Sequence, residues 1–442
     1  MTRLPSTLST HAPLLCFGIS LLLVAFAAGV AIAKLEVFPY GIMAGAWSAA
    51  LDWRENWRAY IRQRPDQLIE PARFDGDRVT AYVPGEASAG VTLITGLWSD
   101  EQGINLVDLD GTHLHEWRVS FNEIWPAAPH LDEQPHDWDT HIHGTLLYPN
   151  GDVVFNFDYM GLVKMNKCGD VIWKLPEKTH HSIFEDGDGN LWVGVRRRVT
   201  QPRPNMPKLA APFWEEFIVS VSPNGKTLQS ISLLDVIVES KYNGIMFADG
   251  QGGVGRWGEM QSVEMHMNDI EVLSAEQAES FPLFQEGDIM VSLRNLNWIA
   301  IIDPDTELIK WSKVGPFLRQ HDPDYLDSGK ISVFDNRRDD AGGVVLGGSR
   351  ILEIDPITQN VSTLYKSDGK DLFYTGALGK HQHLPNGNIL ITEGQAGRAF
   401  EITPEGEVVW SYINRWDEDE VAWIEEATRY PMHYAAFAEE KC

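Results

Sequence analysis

The stretch HGTLLYPNGDVVFNFD, residues 143–158, and the following GLVKMNKCGDVIW, residues 161–173, decide the fold of this 442-residue chain. The Asn-Gly pair lies between two runs of alternating apolar residues, which is a strong signal for a β-hairpin. A second hairpin pattern follows and ends in a tryptophan, so the whole stretch predicts a four-stranded meander. The pattern returns near the C-terminus as LPNGNILIT, residues 384–392, and GRAFEITPEGEVVW, residues 397–410.

Six such units follow one another at a spacing of roughly 40–50 residues, without helical periodicity. This pattern predicts an all-β fold, a six-bladed β-propeller over residues 91–414. The segment 415–442 predicts a helical tail packed on the outside of the propeller. The units span residues 91–117, 143–175, 180–233, 266–313, 321–366 and 381–414, with long insertions near 199–215 and 241–262.

The N-terminus carries an uncharged apolar run over residues 14–33, after a short tail at 1–13. Such a run is long enough to span a bilayer, so we expect a transmembrane anchor or an uncleaved signal. The Ala-Ile-Ala sequence at 31–33 also resembles a signal-cleavage site, which leaves cleavage open. Residues 34–90 predict a juxtamembrane helix over 41–64, lying on the membrane or packed on the main domain, and then a linker. A short tail before an anchor favours export of the rest, so we expect the propeller on the periplasmic or extracytoplasmic side.

Charge and cysteine content narrow the possible functions. The formal net charge of −27 argues against nucleic-acid binding, because phosphates would be repelled. An anionic substrate would need a local cluster of arginine and histidine. Cys16 lies in the apolar run, so within a soluble domain only Cys168 and Cys442 can pair, and nothing in the sequence requires that they do.

Histidines recur at one place in the repeat. Three of them lie eight residues before a turn glycine, and an asparagine takes the same position in the fourth unit. The innermost strand of each propeller blade runs along the central channel, so these side chains should converge at the channel mouth. The alternative is a set of polar residues that only bind channel water. The residues are His143, His181 and His321 (turn glycines at 151, 189 and 329) and Asn268, with His381 and His383 close by in the last unit.

Arginines accompany the histidine column. The His321 unit continues into Asn336, Arg337 and Arg338. The planar guanidinium fork suits a sulfate or phosphate group, although the aspartates at 335, 339 and 340 could equally pair with these arginines. Arg294 lies in an otherwise apolar strand region, where it needs a ligand or an ion-pair partner.

Three nearby histidines raise the question of a metal. On a strand, His141 and His143 point to the same face, and Asp137 or Asp139 could complete a ligand set with His136. No matching cysteine, HExxH or carboxylate spacing accompanies them, so the sequence favours neither a metal nor a cofactor.

The order of these motifs resembles the bacterial arylsulfotransferase (ASST-type) family over roughly 140–414. The similar positions are the His-His pair at 180–181, the His-Asp-Pro to Phe-Asp-Asn-Arg run at 321–337, and the copy at 384–410. The resemblance implies PAPS-independent transfer of a sulfuryl group from an aryl sulfate to a phenol, through a sulfohistidine intermediate and without a cofactor.

The resemblance also implies roles for particular residues. His321, His181 and Arg337 match family positions by motif, and the nucleophile is expected in the last blades, at His383 or His381. The expected catalytic residues are therefore His321, His383, His381, His181 and Arg337, and the expected substrate-binding residues are His143, Asn268, Arg294, Asn336 and Arg338.

A second hypothesis is a non-catalytic propeller that binds a partner or serves as an accessory subunit of a membrane complex. The fold alone does not choose between the two hypotheses. A scaffold has no need of histidine and arginine at its centre, so the column favours the enzyme.

Overall fold

The computed structural model describes residues 7–35, scattered residues of 37–61, and residues 65–98, 101–207, 209–248, 264–367 and 371–442. The chain divides into two compact units, Met1–Asp66 and Gln67–Cys442. The helix predicted over 41–64 lies largely outside the described residues.

The described part of the first unit includes a long helix, Thr7–Leu35. Its segment Leu15–Leu35 has a mean hydropathy of 2.6 and no buried residues. At about 1.5 Å per residue, a helix of this length matches the roughly 30 Å hydrocarbon core of a bilayer. Length and composition therefore fit a membrane anchor, and a signal sequence near an N-terminus has the same properties.

The second unit is the predicted six-bladed β-propeller, since its described strands form six sheets of four or five strands. From the channel outward, blade 1 comprises Ile424–Tyr430, Val91–Trp98, Glu101–Val107 and His113–Arg118, and blade 2 comprises Ile142–Leu147, Val153–Phe157, Gly161–Met165 and Val171–Leu175. Blade 3 comprises Thr179–Glu185, Leu191–Val199, Phe213–Val221 and Thr227–Ser232, and blade 4 comprises Met267–Val272, Ile289–Leu293, Trp298–Asp303 and Leu308–Val314. Blade 5 comprises His321–Tyr325, Ile331–Asp335, Arg350–Ile354 and Val361–Lys366, and blade 6 comprises Lys380–His383, Ile389–Glu393, Arg398–Ile402, Val408–Ile413 and Arg78–Tyr82.

Short elements complete the unit. Ile69–Pro71 pairs with Glu420–Ala422 outside the blades. The short α-helices are Phe121–Ile124, Leu233–Glu239 and Ala275–Ala278, and the 3₁₀ segments are Asp66–Leu68, Asp137–Asp139, Asn243–Ala248, Arg294–Leu296, Gly394–Ala396 and Met432–Glu439.

Both ends of the second unit close the ring, which corrects two expectations. The predicted helical tail contains Ile424–Tyr430, which is the innermost strand of blade 1, and only Met432–Glu439 is helical. The predicted linker contains Arg78–Tyr82, the outermost strand of blade 6. The sequence pattern does not predict the inner strand of blade 1, because this strand carries charged residues that are buried rather than solvated. Arg429, for example, is 5% exposed and forms a salt bridge with Glu401 (3.1 Å).

Apolar side chains fill the space between neighbouring blades. Among the described residues, a separate cluster of buried side chains occupies each of the six interfaces. Three tryptophans also donate their indole N–H across an interface to a turn carbonyl of the next blade: Trp173 to Pro223 (2.9 Å), Trp311 to Pro356 (2.9 Å) and Trp410 to Leu109 (3.0 Å). The recurrent tryptophan of the repeat therefore links alternate pairs of blades.

The two faces of the propeller differ in their connections. Because successive strands run antiparallel, the tight turns after the inner strands lie on one face, which we call the lower face. Their glycines adopt positive φ, as at Gly151 (83°) and Gly329 (77°), which costs glycine nothing. The long connections, including 118–142, 199–213 and 335–350, lie on the opposite, upper face. Loops on a rigid scaffold commonly carry function, so the upper mouth of the channel is the candidate site.

Candidate functional site at the upper channel mouth

The innermost strands are irregular where they reach the upper face. In blades 1 to 5 the pairing with the second strand shifts near the start of the inner strand, whereas the inner strand of blade 6 pairs in regular register. A bulge frees a residue from the ladder and redirects its side chain. The shifts lie between His143 and Thr145, His180 and Ile183, Met267 and Asp269, His321 and Asp324, and Ile424 and Glu426.

These bulges bring four histidines together, which we call the histidine cluster: His143, His181, His266 and His321. The ring centroids of His143 and His181 are 4.6 Å apart, and those of His181 and His266 are 4.8 Å apart. His143 and His321 line one cavity of about 20 Å³ together with Asn268. The Asn268 side chain donates to the Gln320 carbonyl (2.8 Å), while its Oδ1 has no hydrogen-bond partner among the described residues.

His266 was not predicted from the sequence. The histidine column takes one position in each unit, and in blade 4 that position is Asn268. His266 lies two residues before Asn268 and has a positive φ of 54°. The His-x-Asn sequence at 266–268 was the available signal.

The members of the histidine cluster are neutral at physiological pH. Burial lowers the pKa of His143 to about 4 and that of His321 to about 3. Burial, together with the neighbouring histidines and Arg294, also holds the pKa values of His181 and His266 well below the usual range. A neutral imidazole has a lone pair to use as a nucleophile or a ligand.

The neighbouring Asn336 fixes the orientation of His321. Its amide nitrogen donates to the carbonyl oxygens of Thr375 (2.9 Å) and Leu378 (2.6 Å). Its Oδ1 therefore faces His321 Nδ1 at 2.6 Å, and the Arg319 carbonyl lies 3.2 Å from the same nitrogen. Two acceptors at Nδ1 place the proton there and leave the lone pair on Nε2.

A charged pair borders the cluster on the side of blade 2. His141 Nε2 donates to Asp158 Oδ2 (3.2 Å), and Asp158 Oδ1 accepts the backbone N–H of His181 (3.2 Å). Burial by itself would lower the pKa of His141, but the hydrogen bond to Asp158 and the charge of Glu425 raise it to about 9. The same bond outweighs burial for Asp158 and holds its pKa well below the usual range.

The predicted arginines occupy different places on the upper face. Arg294 follows the second strand of blade 4, and it forms no salt bridge among the described residues; its Nε is buried without a partner. Burial and then the charges of Arg319 and Arg338 lower its pKa to about 10, so it remains cationic at neutral pH. Arg337 donates to the Gly348 carbonyl (3.4 Å) outside the cluster, and the exposed Arg338 pairs with Asp340 (2.7 Å).

Below the cluster, Lys380 crosses the channel in a layer of carboxylates. Its Nζ lies 3.3 Å from Asp322 and 3.4 Å from Glu426. Burial disfavours its charge, but these carboxylates outweigh burial and raise its pKa well above the ordinary value. Lys380 lines both the small upper cavity and a lower cavity of about 480 Å³, so this layer separates the two.

The two expected nucleophiles, His381 and His383, both line the lower cavity. Both ring nitrogens of His381 are engaged, Nδ1 with Asp322 (2.9 Å) and Nε2 with Ser332 (2.8 Å). His383 is exposed, and desolvation followed by the charge of His381 lowers its pKa to about 4. Neither residue joins the histidine cluster.

A protein of unknown function from Bacteroides caccae is similar in structure at 14% identity, with a TM-score of 0.49, over 77% of this chain and 98% of that one. A virginiamycin B lyase from Staphylococcus aureus is similar at 13% identity, with a TM-score of 0.35, over 62% of this chain and 70% of that one. Hydrazine synthase from Kuenenia stuttgartiensis is similar at 11% identity, with a TM-score of 0.41, over 74% of this chain and 79% of that one. The curated proteins contain no match.

The sequence model of one protein family, described as arylsulfotransferase (ASST), matches residues 144–415. This match covers more than half of the chain and five of the six blades. It spans the three inner-strand starts that carry His181, His266 and His321. The chain belongs to the arylsulfotransferase (ASST) family.

Proposed function

We propose that this protein transfers a sulfuryl group from an aryl sulfate to a phenol through a sulfohistidine formed on Nε2 of His321. Membership of the family supports the general activity. The bonding of His321 supports the choice of nucleophile, and it is the observation on which the mechanism rests.

Asn336 prepares His321 for attack. Because both amide hydrogens of Asn336 are used by the carbonyls of Thr375 and Leu378, its oxygen is held towards Nδ1 of His321. The tautomer with a free lone pair on Nε2 is thereby selected. With a pKa of about 3, the imidazole stays unprotonated throughout the physiological range.

His381 and His383 are less suited to this role. A nucleophile needs a free lone pair directed at the sulfur. His381 uses both nitrogens within the protein, and His383 lies below the Lys380 layer, away from Arg294. We therefore assign the nucleophile to the fifth blade.

Arg294 is the main candidate for holding the sulfuryl oxygens. It has a buried, unpartnered Nε, and its charge acts on both His321 and His266. A fixed cation in a site shielded from water stabilises negative charge more strongly than it would in bulk water. Asn268 and the neutral histidines can donate or accept the remaining hydrogen bonds, and Arg337 and Arg338 supply positive charge further out.

The reaction proceeds in two displacements. In the first, Nε2 attacks sulfur, the N–S bond forms as the bond from sulfur to the aryl oxygen breaks, and the phenolate leaves with the electron pair. In the second, the oxygen of an acceptor phenol attacks sulfur, the N–S bond returns its electron pair to Nε2, and the phenolic proton passes to solvent. Splitting transfer in this way predicts ping-pong kinetics.

We also place the propeller outside the cytoplasm. The proposal rests on the apolar helix and on a disulfide between Cys168 and Cys442, whose Cα atoms are 5.4 Å apart. Disulfides persist in oxidising compartments and are rare in the cytosol.

The test uses 4-nitrophenyl sulfate as donor and phenol as acceptor. We expect nitrophenol release by the full chain and its loss in His321→Ala, with His433→Ala, an exposed histidine far along the chain, as the control. Quenching without acceptor should leave a peptide containing His321 that is heavier by one SO₃. Turnover that survives in His321→Ala but not in His381→Ala or His383→Ala would overturn the assignment. A folded protein that turns over no aryl sulfate would instead support a binding or accessory role.

A further inference from the structure

Two histidines and an aspartate form a compact group that shares His143 with the histidine cluster. His141 and His143 flank Ile142 at the start of the inner strand of blade 2, and Asp158 follows the second strand of the same blade. Their imidazole nitrogens and carboxylate oxygens all lie within 4.8 Å of one another. We propose that this triad binds one divalent transition-metal ion of the Zn²⁺ class, a site beyond the proposed sulfuryl transfer.

The distances fit such an ion. Bonds of about 2.1 Å place neighbouring ligand atoms about 3.0–3.5 Å apart around a tetrahedral ion. His141 Nε2 and Asp158 Oδ2 are 3.2 Å apart, inside that interval. His143 offers the third ligand atom, within 4.8 Å of the other two.

The donor set selects the class of metal. Two imidazoles and one carboxylate suit Zn²⁺, Co²⁺ or Fe²⁺, whereas Ca²⁺ and Mg²⁺ prefer sites built of oxygen. Three protein ligands leave at least one coordination position open.

The surroundings hold the ligands in place. Ile142 pairs with Phe157 in the sheet, so the two strands that carry the triad are fixed relative to each other. The backbone N–H of His181 binds Asp158 Oδ1 (3.2 Å) and leaves Oδ2 for His141. Hydrogen bonds of this kind orient ligands in metal sites.

Glu425 is an independent sign that a cation belongs here. It comes from the closing strand of blade 1, is 3% exposed, and has an Oε2 with no hydrogen-bond partner among the described residues. Its side chain lines the same small cavity as His143. A divalent ion bound to the triad would therefore face this buried carboxyl group as well as that of Asp158. A buried carboxyl oxygen without a hydrogen-bond partner is costly, and a cation beside it relieves that cost.

The experiment measures binding rather than turnover. Full-length protein in detergent is stripped with a chelator and titrated with Co²⁺, whose visible absorption reports coordination, and then with Zn²⁺ as competitor. We expect one Co²⁺ per chain, displaced by Zn²⁺. His141→Ala and Asp158→Asn should each weaken binding at least tenfold, and His113→Ala, on an outer strand of blade 1, should not.

Three results would overturn the site. They are no Co²⁺ retained by the folded full-length chain, binding unchanged in both His141→Ala and Asp158→Asn, or binding lost only in Asp324→Asn, which belongs to the other group able to hold a metal, Asp322, Asp324 and His381. Thermal melts establish that each variant is folded. Because the readout is metal binding, absence of sulfuryl transfer would not affect the result.

Discussion

Asn336 determines which nitrogen of His321 is free, so its removal should impair chemistry more than binding. In Asn336→Ala the ring can adopt the other tautomer, and Nε2 loses its lone pair in part of the molecules. We expect kcat for 4-nitrophenyl sulfate to fall roughly 100-fold, the scale of misplacing a reacting group, while KM changes little. Asn150→Ala, in a lower-face turn, is the matched control. Equal changes in kcat and KM, or none, would remove Asn336 from this role.

The depressed pKa of His321 has a measurable effect on stability. Its pKa is about 3 in the folded protein, against about 6.5 in an unfolded chain. Between these values only the unfolded state binds the proton, so His321 destabilises the fold progressively as pH falls below about 6.5, at up to about 1.4 kcal/mol per pH unit. His321→Gln lacks this proton site. We expect its melting temperature, relative to the natural protein, to rise between pH 7 and pH 5; a constant difference would mean that His321 is not held neutral.

The histidine column could be predicted because a fixed distance to a turn glycine is visible in the sequence. His143, His181 and His321 keep that distance, and the structure brings them together. His266 could not be found in this way, because Asn268 occupies the column position in blade 4 and His266 lies two residues before it. The pairing of His141 with Asp158 also escaped prediction, since it depends on the spacing of two strands rather than on adjacency in the chain.

At the scale of elements, the tryptophans that join blades should stabilise the fold by more than the burial of their side chains alone provides. Trp311, 7% exposed, donates to the Pro356 carbonyl of the next blade, whereas Trp117, 1% exposed, has an Nε1 without a partner among the described residues. Replacement by phenylalanine removes a similar side-chain volume at both positions, but it removes a hydrogen bond only at Trp311. We expect Trp311→Phe to cost about 1 kcal/mol more than Trp117→Phe in urea unfolding, the net value of one hydrogen bond. Equal costs would show that packing alone joins the blades.

Strand patterns were predictable wherever buried positions were apolar. The inner strand of blade 1 could not be predicted in this way, because it buries Glu425, Glu426 and Arg429, which are ionisable residue types, in the channel wall. A charged residue inside a propeller is stabilised by partners from other blades, as Arg429 is by Glu401, and sequence periodicity carries no record of them.

At the scale of the whole molecule, the C-terminus both closes the ring and is fastened to blade 2. Residues 424–430 complete blade 1, Phe437 is buried between blades, and Glu440 pairs with Lys167 beside the Cys168–Cys442 disulfide. The disulfide joins residues 274 positions apart, so it restricts the unfolded chain strongly. We therefore expect the disulfide to stabilise the fold, and its oxidation state in cells to report the compartment of the propeller.

Cys442→Ser should lower the free energy of unfolding by about 2–4 kcal/mol, the usual contribution of a native disulfide, because the unfolded chain regains its freedom. Cys16→Ser, which removes the exposed free cysteine of the N-terminal helix, is the control and should leave propeller stability unchanged. In protein alkylated within intact cells, we expect one thiol to react before reduction and three afterwards, if the propeller is exported. Reaction of Cys168 and Cys442 before reduction would place the propeller in a reducing compartment and overturn that part of the proposal. A chain that melts at the same temperature with and without reductant would show instead that strand pairing alone closes the ring.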